Sequence, residues 1–308
     1  KRENIGASAS HDGSFRISRM SGDTMVRLER LGTVLVSGQD ARSFLQGQLT
    51  ADIERLDPQR LMLAAVNSPQ GRVQVVARLV QRDDAIVMIV PTSMVETTIA
   101  RLRKYVLRAK VQLQNGADTL AAHALARAEL PDGVRLDSAD HARIGDVSYL
   151  NWNRTADTVI VLAPPSASSR IDPAFEASWH LQQIRAGLPQ VYPATHESFV
   201  AQMLNLDLLD GVSFEKGCYT GQEIIARTHF RGAIKRRMFR FAADTTPPEP
   251  GMRLLHENQH AGDVVDAAAT GDGCEILAVV NLAQKDEPLT LDGANAPLRK
   301  LPMSYEIP

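Results

Sequence analysis

The sequence predicts an α+β fold built from antiparallel sheets, with a small β-barrel or sandwich at its C-terminal end. Three observations carry this expectation. From Leu61 to Leu113 three strands, a helix and a returning strand follow one another, the order of an antiparallel sheet with helices on one face. A second α+β region follows, with strands at Ala121–Ala126, Val147–Leu150 and Val159–Leu162 and one long helix. Beyond Pro247, Pro248 and Pro250 the chain breaks into short strands separated by turn signals such as Gly271-Asp272-Gly273 and Asp292-Gly293.

Each element has a local reason. Leu31 to Val36 is β-rich and ends at Ser37-Gly38; Asp40 to Leu49 then has helical spacing, with Phe44, Leu45 and Leu49 on one side. The strand Leu61–Val66 turns at Ser68-Pro69-Gln70-Gly71 into Arg72–Gln81, and Asp83-Asp84 turns that into Ala85–Val90. A helix starts at Pro91-Thr92-Ser93 and runs to about Tyr105, and Lys110–Leu113 returns as a strand. Asp172 followed by Pro173 is an N-cap with proline in the first turn, so a helix runs from there to Ala186 and stops at Gly187.

Composition narrows the function. With 308 residues the chain is long for one core. The expected division is a disordered polar arm at 1–20, an α+β domain at 21–115, a second at 116–243 and a C-terminal domain at 244–308. A net charge of −2 gives no general pull toward nucleic acid or an anionic membrane, and no apolar run approaches the roughly 18 residues that span a bilayer. Residues 1–20 lack the apolar core of a secretory signal. Two cysteines fit a reducing, cytoplasmic setting and not a disulfide framework. Eight histidines without H-x-x-H spacing, and Cys218 far in sequence from Cys274, predict no metal site within the chain.

The chemistry concentrates in Lys216-Gly217-Cys218-Tyr219-Thr220-Gly221-Gln222-Glu223. Thr220 and Glu223 have capping-box spacing ahead of the apolar Ile224-Ile225-Ala226, which predicts a helix N-terminus just after the thiol. The helix dipole and Lys216 together favour the thiolate of Cys218. Gly217 and Gly221 permit unusual backbone and close ligand approach. The competing reading is a tight turn enclosing a small buried cysteine. Six cations, Arg227, Arg231, Lys235, Arg236, Arg237 and Arg240, follow with no acid among them. They form either the charged face of a half-buried strand or an anion site centred on Arg231, Lys235 and Arg236, for a γ-glutamyl tail or RNA phosphates. The lack of a nucleic-acid motif and of interleaved aromatics makes direct RNA binding the weaker choice. Trp179, early in the long helix, reads on its own as a core residue.

The octapeptide resembles the K-G-C-Y-T-G-Q-E signature of the YgfZ proteins, folate-binding relatives of the glycine-cleavage aminomethyltransferase (GcvT, or T-protein). Segments at Gly38–Asp52, Lys104–Val111, Ile184–Pro189 and Phe230–Arg236 resemble the same family in the same order. The resemblance implies a GcvT/YgfZ-like ring of three domains around a folate-sized hollow, the first two interleaved in sequence. It implies tetrahydrofolate as ligand and a role in assembling or repairing iron–sulfur clusters of client enzymes, including those that thiolate tRNA. Partners would then be client enzymes or assembly factors, with no membrane and no direct nucleic acid. Cys218 would be the reactive group; Lys216, Tyr219, Gln222, Glu223 and Arg227 would shape the pocket, and Trp179 would stack on folate.

Three departures qualify the resemblance. Leu31 stands where an aromatic is expected, and Arg185 stands where many relatives carry a glutamate that pairs with the pterin. Arg72-Val73-Gln74-Val75-Val76 after Gly71 lacks the acidic pair that T-proteins use for aminomethyl transfer. Glycine-cleavage activity is therefore not expected, although a tetrahydrofolate-dependent one-carbon transferase stands as an alternative, as does an RNA-binding module.

Overall fold

A computed structural model describes residues 25–294 and 296–308. The expected arm at 1–20 lies outside them. In chain order the first region contains β1 (Val26–Arg27), β2 (Leu31–Ser37), α1 (Ala41–Gln46), β3 (Met62–Asn67), β4 (Val73–Arg82), β5 (Ala85–Pro91), α2 (Val95–Arg103) and β6 (Gln112–Asn115). The second contains β7 (Ala121–Ala126), β8 (His141–Ile144), β9 (Val147–Leu150), β10 (Thr158–Ala163) and α3 (Pro173–Arg185). After a long connection come α4 (Gln222–Phe230), β11 (Arg236–Ala243), β12 (Arg253–His256), β13 (Gln259–Thr270), β14 (Gly273–Asn281), β15 (Leu289–Leu291) and β16 (Pro297–Leu301).

The strands make three antiparallel assemblies. One sheet has the order β3-β4-β5-β2-β6, a second β1-β7-β10-β9-β8, and the six C-terminal strands close a barrel in the order β11-β14-β13-β12-β15-β16. The described residues enter the second sheet first, where Val26 faces Ala124, and cross into the first with β2. The barrel takes β11 from before the proline run, so it starts at Arg236 and not at residue 244. Prolines mark a loop between strands as readily as a linker between domains, and only the pairing of β11 with β14 and β16 separates the two. Strands β1 and β8 escaped the sequence reading because they are short and their pattern is weak.

The α3 helix follows its signals. Asp172 caps it by accepting from the Phe175 N–H, Pro173 opens it, and Gly187 ends it at φ +66°. It is docked on the barrel by a buried contact of His180 Nε2 with Asp266 at 2.9 Å and by the exposed Arg185, whose Nε donates to Glu275 at 2.9 Å. Arg185 thus has an acid of the barrel as its partner.

Helices α1 and α2 cover one face of the first sheet, with Phe44, Leu45, Leu49, Ile99 and Leu102 buried against Val66, Val75 and Leu79. The other face is divided. At one end Leu63, Ala65 and Val76 pack on Phe199, Leu206, Tyr219, Ile225 and barrel residues Leu277 and Val279. At the other end Val80, Val87 and Ile89 pack on the second sheet, Trp152 and Trp179. Residues two apart on a strand share a face. Val76 therefore belongs to one core, Val80 to the next, and Arg78 between them falls in the seam.

Candidate functional site

Cys218 is exposed, which excludes the buried-turn alternative. The loop that carries it is stapled at both ends to the segment after α1. Lys216 donates three hydrogen bonds from Nζ, to the carbonyls of Gln46 (2.7 Å), Leu49 (2.9 Å) and Ala51 (2.7 Å). The Ser213 N–H donates to Thr50 O, and the Thr220 N–H donates to Gly47 O at 3.1 Å. Lys216 is buried, and burial pushes its pKa down to about 8, partly offset by the carboxylates of Asp52 and Glu54. Its three N–H donors are directed into the fold. The ammonium closes the turn after α1, where carbonyls lack helical partners, so these donors are already engaged within the fold.

The helix start also differs from the expected capping box. Gly221 is the N-cap of α4, at φ +81°, and no side chain caps the helix. The Thr220 hydroxyl instead reaches Gln48 Oε1 at 3.4 Å, and Gln222 Oε1 accepts from the Tyr219 N–H at 3.3 Å. The reason is close packing against the hairpin turn between β3 and β4. A Cβ on Gly221 would lie 2.5 Å from Ser68 O and 2.9 Å from Gly71 Cα. Gly217 has a different reason, since a Cβ there would meet nothing within 4 Å. It leaves open space beside the sulfur.

A cavity of about 630 Å³ opens at the seam of the first sheet. Arg78, Leu63, Met62 and Val212 line it, with Phe214, His229 and Phe230 also in its wall. The Phe214 and His229 rings stack at 3.8 Å, and Phe230 stands edge-on to His229 at 4.7 Å. The Arg78 guanidinium lies 4.5 Å over the ring of Trp152, and Trp152 packs against Trp179 with centroids 6.3 Å apart. Burial pushes the pKa of Arg78 down to about 10, with Asp140 opposing weakly. Arg78 makes no hydrogen bond or ion pair among the described residues, and Asp140 itself is paired with Arg154 at 2.7 Å.

The cavity wall contains none of the expected folate residues. Trp179 is buried behind Trp152, in the core that also holds Leu31. Tyr219 is buried, its hydroxyl has no partner among the described residues, and burial raises its pKa to about 12. Gln222 is half-buried, and Glu223 and Arg227 are exposed on α4. Cys218 is not in the cavity wall, but Ser213, Phe214 and Glu215 just before it in the chain are, as are His229 and Phe230 at the far end of α4.

The basic run divides as well. Arg237 is buried in a two-pronged pair with Asp207 at 2.7 and 2.9 Å, and Arg236 lies 3.4 Å from Asp263. Arg240 donates to Arg185 O and lies near Glu275. Arg227, Arg231 and Lys235 are exposed and form no ion pair among the described residues. The strand reading therefore accounts for Arg236, Arg237 and Arg240.

Sequence reasoning missed Arg78, Trp152, Phe214 and His229. Only Arg78 left a readable mark, as a lone charge flanked two residues either side by Val76 and Val80.

No family model matches the chain. It is 32% identical over 306 residues to the tRNA-modifying protein YgfZ of Enterobacter sp. (strain 638), covering 92% of this chain and 94% of that protein. It is 31% identical over 307 residues to the protein of the same name from Edwardsiella ictaluri (strain 93-146), covering 92% of each. Among solved structures it is similar to glycine cleavage system aminomethyltransferase T from Bartonella henselae, with a TM-score of 0.63 and 15% identity over 90% of this chain and 84% of that one. The last similarity establishes the fold.

Proposed function

Because this chain belongs to the YgfZ family, we propose that it binds a reduced folate in the seam cavity and presents Cys218 to iron–sulfur client enzymes whose clusters it helps to assemble or repair. The observation that carries this reading is a ligand-sized cavity lined by Ser213, Phe214 and Glu215, with the exposed thiol of Cys218 on the same loop but outside the cavity wall. A cavity of about 630 Å³ is of the size that takes a drug-sized ligand. The stacked Phe214–His229 pair with Phe230 offers flat faces and edges to a pterin or benzoyl ring. A bound reduced folate would supply a one-carbon carrier. The residues around it bind and orient: the aromatic group holds a ring, and Leu63, Met62 and Val212 exclude water.

The thiol has a different role. A nucleophile that transfers a group to a ligand must stand about 3–3.5 Å from the reacting atom. Cys218 does not line the cavity. Its position favours contact with a second protein, where a thiol can hold iron or persulfide or take up an electrophile. A one-carbon transferase is further disfavoured by Gln74, which stands in the region of the missing acids and is bonded to Glu197 and Arg101. Direct RNA binding has less support, since Arg236, Arg237 and Arg240 are engaged within the fold. Two free cysteines fit the reducing cytoplasm in which such clients work.

A thermal-shift titration with tetrahydrofolate tests the ligand. At 100 times its dissociation constant the folate should add about 2.7 kcal/mol. Absence of any shift removes the folate reading. Cys218→Ala should keep that shift and lose the ability to restore cluster content in client enzymes of cells lacking the protein.

A further inference from the structure

We infer that Arg78 is the carboxylate-recognising residue of the seam cavity, pairing its guanidinium with a carboxylate of the bound ligand while Trp152 backs its other face. For the folate proposed above, on which this assignment rests, the partner is the glutamate moiety and not the pterin.

The argument begins with an unpartnered charge. Arginines removed from water are normally paired, because an isolated buried ion is costly. Of the other largely buried arginines, Arg237 is ion-paired with Asp207, and Arg101, although it has no acid, still donates to Gln74 and the Asn67 carbonyl. Among the described residues Arg78 has only the indole face of Trp152, and it stands in the cavity wall. Its N–H groups are not sealed off, since none of its nitrogens is among the buried atoms lacking a partner. They are therefore donors available to a ligand.

The chemistry of the partner follows from the donor set. A guanidinium has five N–H donors in a fixed fork and no acceptor. A carboxylate meets two of them in parallel, with full charge complementarity. A pterin edge alternates donors and acceptors, so its donors would find no mate on Arg78. Contact with the Trp152 ring, 4.5 Å from the guanidinium carbon, restrains the fork, which reduces the ordering that binding requires. General charge at the cavity does not decide the matter, because Arg55, Arg60 and Arg78 in its wall are balanced by Asp52, Asp210 and Glu215.

The test uses the full chain, with Arg78→Gln and Arg78→Lys, and three probes measured by calorimetry. These are tetrahydrofolate, N-(4-aminobenzoyl)-L-glutamate and 6-methyltetrahydropterin, the last without a carboxylate. Arg78→Gln should fold, since it removes an unpaired charge, and its unliganded melting midpoint verifies this. The assignment expects Arg78→Gln to weaken the first two probes by about 10- to 100-fold and leave the pterin unchanged. Arg78→Lys should recover only part, lacking the fork. Equal affinity of wild type and Arg78→Gln for tetrahydrofolate overturns the assignment and leaves the folate reading standing. Equal weakening of all three probes also overturns it, since the side chain then only shapes the wall. If the wild type binds aminobenzoylglutamate through Arg78 but not tetrahydrofolate, the folate reading fails and the carboxylate site stands. Binding of no probe ends both.

Discussion

Lys216 Nζ donates to the Leu49 carbonyl at 2.9 Å, joining residues 167 positions apart in the chain. With the Gln46 and Ala51 carbonyls it forms a three-pronged clamp under the loop that presents Cys218. Lys216→Met removes all three bonds and leaves buried acceptors unpaired. It should lower stability by about 3 kcal/mol in urea unfolding, with faster amide exchange confined first to residues 216–221. Lys216→Arg should not restore it, because a planar fork does not fit three converging carbonyls. Unchanged stability in the methionine variant would remove the clamp.

The two glycines of the signature should respond in opposite ways. Gly221→Ala must adopt φ +81° and push Cβ to within 3 Å of the hairpin backbone, so a loss of about 1–3 kcal/mol is expected. Gly217→Ala meets no atom and should stay within about 0.5 kcal/mol of wild type. A similar loss in both variants would mean that the loop adopts another conformation in solution.

The thiols should be chemically distinct. Cys218 is exposed, whereas Cys274 sits in β14 with its pKa raised, chiefly by burial. Alkylation with iodoacetamide in the native state, followed by peptide mass spectrometry, should label Cys218 and spare Cys274 until the protein is unfolded. Cys218→Ser should leave the melting temperature within about one degree, as expected of an exposed site. Preferential labelling of Cys274 would contradict the packing of the barrel.

Acid should destabilise the second sheet through two buried histidines. His123 and His141 are buried, and burial lowers both pKa values to about 4, opposed in part by backbone hydrogen bonds at Val161 and Ala121 for His123 and at Pro58 for His141. Arg27, directly across the ladder from His123, adds repulsion. In the unfolded chain both titrate near 6.5. Between those values the unfolded state binds more protons, so stability is full above about pH 6.5 and falls as the pH drops toward 4. Each histidine contributes a loss on the order of 3 kcal/mol across that window. His123→Leu should flatten the pH dependence of the melting temperature by about half; an unaltered pH profile would show that His123 does not carry it.

Much of the fold was legible because its signals are local. The Asp172 cap, the proline after it and Gly187 set α3 to within a residue, since capping concerns only neighbouring backbone groups. The apolar run of β4 and the turn at Gly71 were equally readable, as was a glycine-flanked thiol ahead of a helix. The partners within the site were less legible. Thr220 and Glu223 have the spacing of a capping box, yet the hairpin at Ser68–Gly71 approaches so closely that glycine itself takes the cap position. A pattern of four residues carries no information about a backbone that arrives from elsewhere.

The chain alone therefore determined the kind of elements, the identity of the signature loop and the family to which it belongs. Tertiary structure decided what each charged or aromatic side chain faces. It turned Lys216 inward to three carbonyls, set Trp179 behind Trp152, divided the basic run between ion pairs and solvent, and left Arg78 unpaired in a seam between two cores. The physical reason is range. Propensity, capping and periodicity act over a few residues, whereas burial and pairing depend on which distant segments the closing sheets and barrel bring together.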